Sequence, residues 1–206
     1  TLGPSSISSR RRSPTPPGLG NRYNLRSNNN NYEKQQTTVW LQEDTKIKKG
    51  LRNLGNTCFM NSVLQCLLHT PDLKEYFLSG RYKDEINADN PLGKNGELAK
   101  SYADLLMHVF RTDDQPVVPS DLKRCVARFN PIFSGYQQQD SQEFMAFLMD
   151  GLHEDLNRVM KKPYTEPVEG DDTKPDALLA NEAWETHLKR NQSIIVDLMQ
   201  AQYKYF

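Results

Sequence analysis

Apolar residues recur at helical spacing along most of the chain after Gly50. Between residues 97 and 110, for example, Leu98, Tyr102 and Leu105 fall on one side of a helix. With the turn and cap residues around it, this spacing predicts six helices, at about residues 58–68, 71–77, 97–110, 120–129, 140–160 and 178–190. The body of the chain is therefore expected to be mainly α-helical.

The run from Ser193 to Leu198 has a different pattern, because three consecutive residues in it are β-branched. Such residues favour a strand, and this is the one strand that the pattern predicts. A strand needs a partner, yet the sequence stops at Phe206, and its first residue is Thr1 rather than methionine. We therefore expect this chain to be a piece of a longer protein.

Composition and charge divide the chain into two parts. Residues 1–38 are rich in Ser, Pro, Gly, Asn and Arg and offer little to bury, which predicts a disordered arm over about residues 1–45 and a folded body over residues 46–206. Nine basic and three acidic residues in the first 50 positions give +6, and the remainder, with 17 basic and 23 acidic residues, gives −6. A net charge of zero argues against a dedicated nucleic-acid binder, although the basic arm leaves that role open as a weaker alternative.

The cysteines and the hydropathy exclude several classes of protein. Three cysteines without a CxxC pair argue against a disulfide framework and a zinc site, so we expect neither metal nor cofactor in this chain. Reduced cysteines fit the cytoplasm or the nucleus. No apolar run approaches the length of a membrane helix. Cys66 and Cys125 lie within predicted helices and are interpreted as core residues.

Cys58 is the candidate for chemistry. It follows a polar turn with two glycines and two asparagines, at residues 50–56, and it precedes an apolar helical run. This pattern places the thiol at a helix N-terminus, where the helix dipole favours the thiolate, which is the nucleophilic form. Backbone amides there, with Asn53, could stabilise an oxyanion. The alternative is that Cys58 is simply a small buried apolar residue.

A catalytic cysteine also needs a base, usually a histidine. His69 is eleven residues from Cys58, which is about 16 Å along a helix and too far. His108 and His187 are predicted to face solvent, and His153 is expected at the surface of its helix. The sequence thus offers a nucleophile without an evident base.

Two blocks of sequence resemble the ubiquitin-specific proteases, cysteine hydrolases that cleave after the C-terminal glycine of ubiquitin. The first block is Gly50–Gln65, and the second runs from Gly135 to Asn157 and contains the letters QQQDSQEF. The resemblance covers about residues 50–198, and the segments around Asn90 and Trp184 are similar to a subgroup whose full-length members carry DUSP and ubiquitin-like domains. It implies the helical thumb half of a papain-like α+β cysteine protease domain.

Carried over by position, the resemblance implies a role for each matched residue. Cys58 matches the nucleophile and Asn53 the oxyanion-hole asparagine. Asp140 and Glu143 match the acids that hold the basic tail of ubiquitin, and Gln138 lies in the same block and is expected to help. An acid followed three residues later by glutamate is also typical of a capping box, so a purely structural role for Asp140 and Glu143 stays open.

The family's downstream blocks with the catalytic histidine and its Asp or Asn partner do not occur before Phe206, nor do the two zinc-binding CxxC pairs. Residues 46–206 are therefore expected to be the N-terminal part of the catalytic domain. The resemblance implies a thiol-dependent deubiquitinase whose partners are ubiquitin and ubiquitinated proteins, and we expect no independent turnover from the chain as written. The alternative is a non-catalytic fragment that binds ubiquitin or another partner.

Overall fold

The computed structural model describes residues 49–113, 116–168 and 174–203. Eight α-helices and one 3-10 turn form within these ranges: α1 (Cys58–Leu68), α2 (Pro71–Leu78), α3 (Tyr82–Glu85), α4 (Glu97–Arg111), α5 (Ser120–Phe129), the 3-10 turn (Pro131–Phe133), α6 (Ser141–Asp155), α7 (Asp176–Leu188) and α8 (Ile194–Met199). An isolated parallel bridge joins Leu51 to Val117, and the described ranges contain no strand. The predicted mainly helical fold class is therefore confirmed. The arm predicted over residues 1–45 lies outside the described residues.

The helices with strong local signals agree closely with the prediction, whereas the end of α6 does not. Helix α6 ends at Asp155, five residues before the predicted Met160. The cause is Asn157, a buried residue whose side-chain oxygen accepts hydrogen bonds from the backbone N–H groups of Val159 and Gln192, both at 3.1 Å. These bonds hold the backbone in a turn, so the helix cannot continue.

The strand predicted at residues 193–198 is wrong, because this segment forms helix α8. Ser193 caps the helix: its hydroxyl oxygen accepts from the backbone N–H of Val196 at 3.3 Å. Ile194 and Ile195 are buried in the common core. A short apolar run fits either a strand or a buried helix, and here the serine cap and the burial favour the helix.

An aromatic cluster fixes the start of α1 relative to α6. The ring of Phe59 lies 6.1 Å from that of Phe133 and 5.8 Å from that of Phe144, and all three side chains are buried. Phe133 and Phe144 also meet edge to face at 5.5 Å. Because Phe59 follows Cys58 directly, this packing sets the position of the thiol against the segment that leads into α6.

A group of buried polar side chains, which we call the polar hub, surrounds the C-terminal end of α6. Its members are Asn87, Asn90, Glu154, Asp155 and Asn157. The Asn90 side-chain amide donates to the Glu154 backbone oxygen at 2.8 Å and to its carboxylate at 2.6 Å. Burial alone would raise the pKa of Glu154, but hydrogen bonds from Lys162 and Asn90 outweigh it and lower the pKa.

Within the polar hub, Asp155 caps a helix that is distant in sequence. Its carboxylate accepts from the backbone N–H groups of Leu98 and Ala99, both at 3.1 Å, and from that of Lys94 at 2.5 Å. Gly96 stands at the N-cap position of α4 and has no side chain to fill this role. The hub therefore ties α4 and the preceding loop to the far end of α6.

Two predictions about burial are tested by the cysteines. Cys125 is buried, as predicted, and burial raises the pKa of its thiol. The prediction for Cys66 is wrong, since this side chain is exposed. Cys58, Ser62 and Cys66 are four residues apart on α1 and share its solvent-facing side.

Within the described ranges, every helix is too short or too polar to cross a bilayer.

Candidate active site

The thiol of Cys58 is exposed at the N-terminal end of α1, where the sequence predicts it. Cys58 is the first helical residue, and the buried Thr57 stands at the N-cap position. The first backbone hydrogen bond of the helix runs from Asn61 N–H to the Thr57 oxygen at 2.9 Å. The N–H groups of the first turn therefore lie beside the thiol without helical partners, as at any helix start.

The turn before Cys58 is organised by the side chain of Asn53. Its Oδ1 atom accepts from the Gly55 N–H at 3.0 Å, and from the N–H and the hydroxyl of Thr57 at 3.1 Å each. The Thr57 hydroxyl oxygen in turn accepts from the Leu54 N–H at 3.0 Å. Asn53 takes part in three of these bonds, always through its oxygen, so the described residues leave its Nδ2 donor unpaired on an exposed side chain.

A second loop, residues 134–140, lies against this turn. Asn56 Nδ2 donates to the backbone oxygen of Tyr136 at 2.9 Å. Gly55 has φ +98°, and a Cβ there would lie 3.0 Å from Cδ1 of the Tyr136 ring. Only glycine fits easily at this position, since both its backbone conformation and the nearby ring disfavour a side chain.

Lys123 supports the second loop from α5. Its Nζ atom donates to the Gly135 oxygen at 3.0 Å and lies 4.8 Å from the centre of the Tyr136 ring. Lys123, Tyr136 and Asn56 were not predicted as site residues. A lysine on a helix thirteen residues before an aromatic residue carries no local signal of such a contact.

Gln138, on this second loop, reaches the thiol of Cys58. Its Nε2 atom lies 3.2 Å from the Sγ atom of Cys58, in hydrogen-bonding geometry. The two residues are 80 positions apart in the sequence. The structure thus brings Gln138 to the thiol, whereas the sequence analysis assigned it only to binding of a ubiquitin tail, a role that stays a prediction.

Asp140 is the N-cap of α6, so the capping interpretation holds for this residue. Its Oδ1 atom accepts from the Gln142 N–H at 2.6 Å and from the Glu143 N–H at 3.2 Å. Neither cap bond uses Oδ2, which leaves that oxygen for another donor. Glu143 does not complete a capping box: in the described part of the chain its exposed carboxylate has no hydrogen bond or ion pair.

Within the described ranges, no histidine hydrogen-bonds to Cys58. His69 and His108 are exposed, and each places Nδ1 2.9 Å from a backbone oxygen of its own helix. His187 is half-buried, with Nε2 2.8 Å from the side-chain oxygen of Gln200. These three histidines therefore have other contacts in the structure.

His153 corrects the sequence analysis, which expected it at the surface of its helix. It is only 6% exposed, because the C-terminal end of α6 is covered on all sides. Its Nδ1 atom lies 2.8 Å from the Ser193 hydroxyl. Burial lowers the pKa of the ring. His153 is therefore a structural residue that links α6 to α8.

Among the described residues, no cluster of His, Cys, Asp and Glu has the arrangement of a metal site.

Comparison with known proteins gives consistent matches over this region. The family model described as "Ubiquitin carboxyl-terminal hydrolase" matches residues 49–205. Two similar proteins are ubiquitin carboxyl-terminal hydrolase 15 of Homo sapiens and ubiquitin carboxyl-terminal hydrolase 4 of Mus musculus. Each is 58% identical to this chain over 155 residues, which make up 75% of this chain and 16% of the relative. This chain thus spans about one sixth of the length of these relatives.

Among solved structures, one match is a chain of the SAGA Ubp8/Sgf11/Sus1/Sgf73 DUB module bound to ubiquitin aldehyde. The matched region covers 52% of this chain and 24% of that chain, with 27% sequence identity and a TM-score of 0.44. The family model alone covers more than half of the chain, and it includes Cys58 and the loop of Gln138. The chain therefore belongs to the ubiquitin carboxyl-terminal hydrolase family, as the resemblance of its two sequence blocks to the ubiquitin-specific proteases predicts.

Proposed function

We propose that this chain supplies the nucleophile and part of the ubiquitin-tail site of a thiol-dependent deubiquitinase, which hydrolyses the bond after the C-terminal glycine of ubiquitin. The observation that carries this proposal is the exposed Cys58 thiol at the start of α1, in hydrogen-bonding contact with Gln138. Family membership and the names of the relatives support the same reaction class.

In the proposed reaction, the Cys58 thiolate attacks the carbonyl carbon of the last ubiquitin glycine. A C–S bond forms, and the carbonyl oxygen becomes an oxyanion. The unpaired Nδ2 of Asn53 and the backbone N–H of Cys58 are the donors proposed to stabilise it, in the manner of an oxyanion hole. The C–N bond then breaks, the amine leaves with a proton, and water hydrolyses the thioester to release ubiquitin and restore the thiol.

The acids at the start of α6 are proposed to hold the tail that precedes this glycine. The tail of ubiquitin is basic, and Asp140 Oδ2 and the Glu143 carboxylate are both exposed without a partner in the described residues. Charge-assisted hydrogen bonds from arginine side chains to such carboxylates are stronger than neutral ones. Capping and tail binding are compatible for Asp140, because each role uses a different carboxylate oxygen.

A second function, binding of ubiquitin without hydrolysis, is favoured by one observation. No histidine of the described residues contacts Cys58, so the base that deprotonates the thiol and protonates the leaving amine has no candidate in this arrangement. We therefore expect the purified 206-residue chain to bind and react with ubiquitin probes but not to turn over substrate.

The test uses two ubiquitin reagents with the same purified chain. A ubiquitin with a C-terminal electrophile should label Cys58 slowly and should not label Cys58→Ala, while a fluorogenic ubiquitin amide should show no multiple turnover. Glu143→Gln should reduce labelling, whereas Asp150→Asn, an exposed acid farther along the same helix, should not. The deubiquitinase proposal is rejected if labelling persists in Cys58→Ala or is absent from the unmodified chain. Sustained turnover would overturn the expected lack of a base.

A further inference from the structure

We propose that Gln138 is a catalytic residue that stabilises the anionic sulfur of Cys58 by donating a hydrogen bond from its side-chain amide. The inference rests on the proposed function in taking Cys58 as the nucleophile, and it adds a role that is separate from binding of the ubiquitin tail.

The contact has the geometry that this role needs. The distance from Gln138 Nε2 to Cys58 Sγ is 3.2 Å, well within hydrogen-bonding range for sulfur. An N–H donor at an ionisable sulfur favours the charged form over the neutral form, because the bond is stronger to an anion. Among the described residues, Gln138 is the one side chain that donates to this sulfur. It adds to the effect of the helix N-terminus.

The surrounding contacts fix the loop that carries Gln138, so the amide does not reach the sulfur by chance. On one side of Gln138, Lys123 holds the Gly135 oxygen and Asn56 holds the Tyr136 oxygen. On the other side, the Asp140 cap starts α6. The backbone is therefore held two residues before Gln138 and two residues after it.

The same contacts connect the donor with the nucleophile through the turn before α1. Asn56 is two residues before Cys58, and its partner Tyr136 is two residues before Gln138. The Asn56–Tyr136 bond and the Sγ–Nε2 contact thus join the same two segments, the start of α1 with the turn before it and the loop at residues 134–140, at two neighbouring points. Asn56 acts only through Tyr136, so it is a positioning residue, whereas Gln138 touches the reacting atom.

Alkylation of Cys58 by iodoacetamide tests this proposal without ubiquitin, because only the thiolate reacts with the reagent. The chain carries Cys66→Ser to remove the other exposed thiol, and mass spectrometry of the Cys58 peptide gives the rate between pH 6 and pH 10. At pH 7, Gln138→Met should react about three- to tenfold more slowly than the parent, the loss expected for one net hydrogen bond. At the highest pH this loss should disappear or reverse, because a hydrogen bond that stabilises a thiolate also makes it a weaker nucleophile.

Two further variants sharpen the result. Gln138→Glu places a carboxylate beside the sulfur and should slow alkylation at pH 7 more than Gln138→Met does. Gln137→Met changes the neighbouring exposed glutamine, whose side chain makes no hydrogen bond to the described residues, and should stay within about twofold of the parent rate. Circular dichroism confirms that each variant has the parent helix content.

Three outcomes would overturn the proposal. The first is an unchanged rate at pH 7 in both Gln138 variants. The second is a loss of equal size at every pH, which indicates altered access rather than ionisation. The third is faster alkylation of Gln138→Met at pH 7, which indicates that the thiol donates to the amide oxygen and is stabilised as a thiol. None of these results depends on the ubiquitin probe, so this inference and the proposed function can fail separately.

Discussion

Removing the Asp155 carboxylate should strongly destabilise the chain, because this buried side chain caps a helix that has no cap of its own. Asp155 is 0% exposed, and its two oxygens accept the backbone N–H groups of Lys94, Leu98 and Ala99. In Asp155→Ala these donors would lose their partner. Water could replace it only by entering the packed end of α6.

The expected size of the effect follows from the number of orphaned donors. A buried polar group left without a partner costs about 1–3 kcal/mol. The Leu98 and Ala99 bonds are buried, and the Lys94 bond is partly buried. Counting the two buried donors gives a loss of about 2–6 kcal/mol for Asp155→Ala. Asp155→Asn keeps one acceptor oxygen but turns an NH₂ group toward the helix start, so we expect about 1–3 kcal/mol.

The assay is urea unfolding followed by circular dichroism at 222 nm, with the free energy of unfolding taken by linear extrapolation. Asp150→Ala, an exposed acid on the same helix, is the matched control and should change the free energy by less than about 0.5 kcal/mol. If Asp155→Ala and Asp155→Asn both stay within about 1 kcal/mol of the parent, the capping argument is refuted.

Two other changes test the loops and the buried histidine. At Gly55 φ is +98°, and a methyl group there would meet the Tyr136 ring. Gly55→Ala should therefore cost about 1–3 kcal/mol of stability and slow the labelling of Cys58. An unchanged urea midpoint would contradict this. Burial lowers the pKa of the His153 ring in the folded chain, whereas in the unfolded chain the ring takes up a proton near pH 6.5. Acid therefore favours the unfolded chain. Between pH 7.5 and pH 5.5 the free energy of unfolding should fall by at most about 1.4 kcal/mol through this residue. The fall should be smaller in His153→Gln, and an equal fall in both proteins would show that another group causes it.

The parts of the fold that the sequence predicts well are those with local signals. The polar turn and the apolar run that follows it place the start of α1 at Cys58, and the Asp140 cap places α6 within one residue. Both signals depend on residues within one helical turn of the feature. Local chemistry therefore predicts where these helices begin.

The features that the sequence analysis missed depend on contacts between distant residues. Asp155 caps α4 across 57 residues to Leu98, and Gln138 meets Cys58 across 80. His153 lies in a stretch with polar neighbours and resembles a surface residue until the polar hub covers it. The Ser193 run is ambiguous by itself, because its length and composition suit a strand or a buried helix equally. Only the packing of the whole body resolves such cases.

The separation of 80 residues between Cys58 and Gln138 also sets the interval between their addition to the growing chain. A ribosome adds about 5–20 residues per second, so Gln138 is added about 4–16 seconds after Cys58. During that interval the new thiol has neither its donor nor the loop that holds it. Cys58 is thus made early, and its sulfur gains the hydrogen-bond contact with Gln138 only after the later loop has been synthesised.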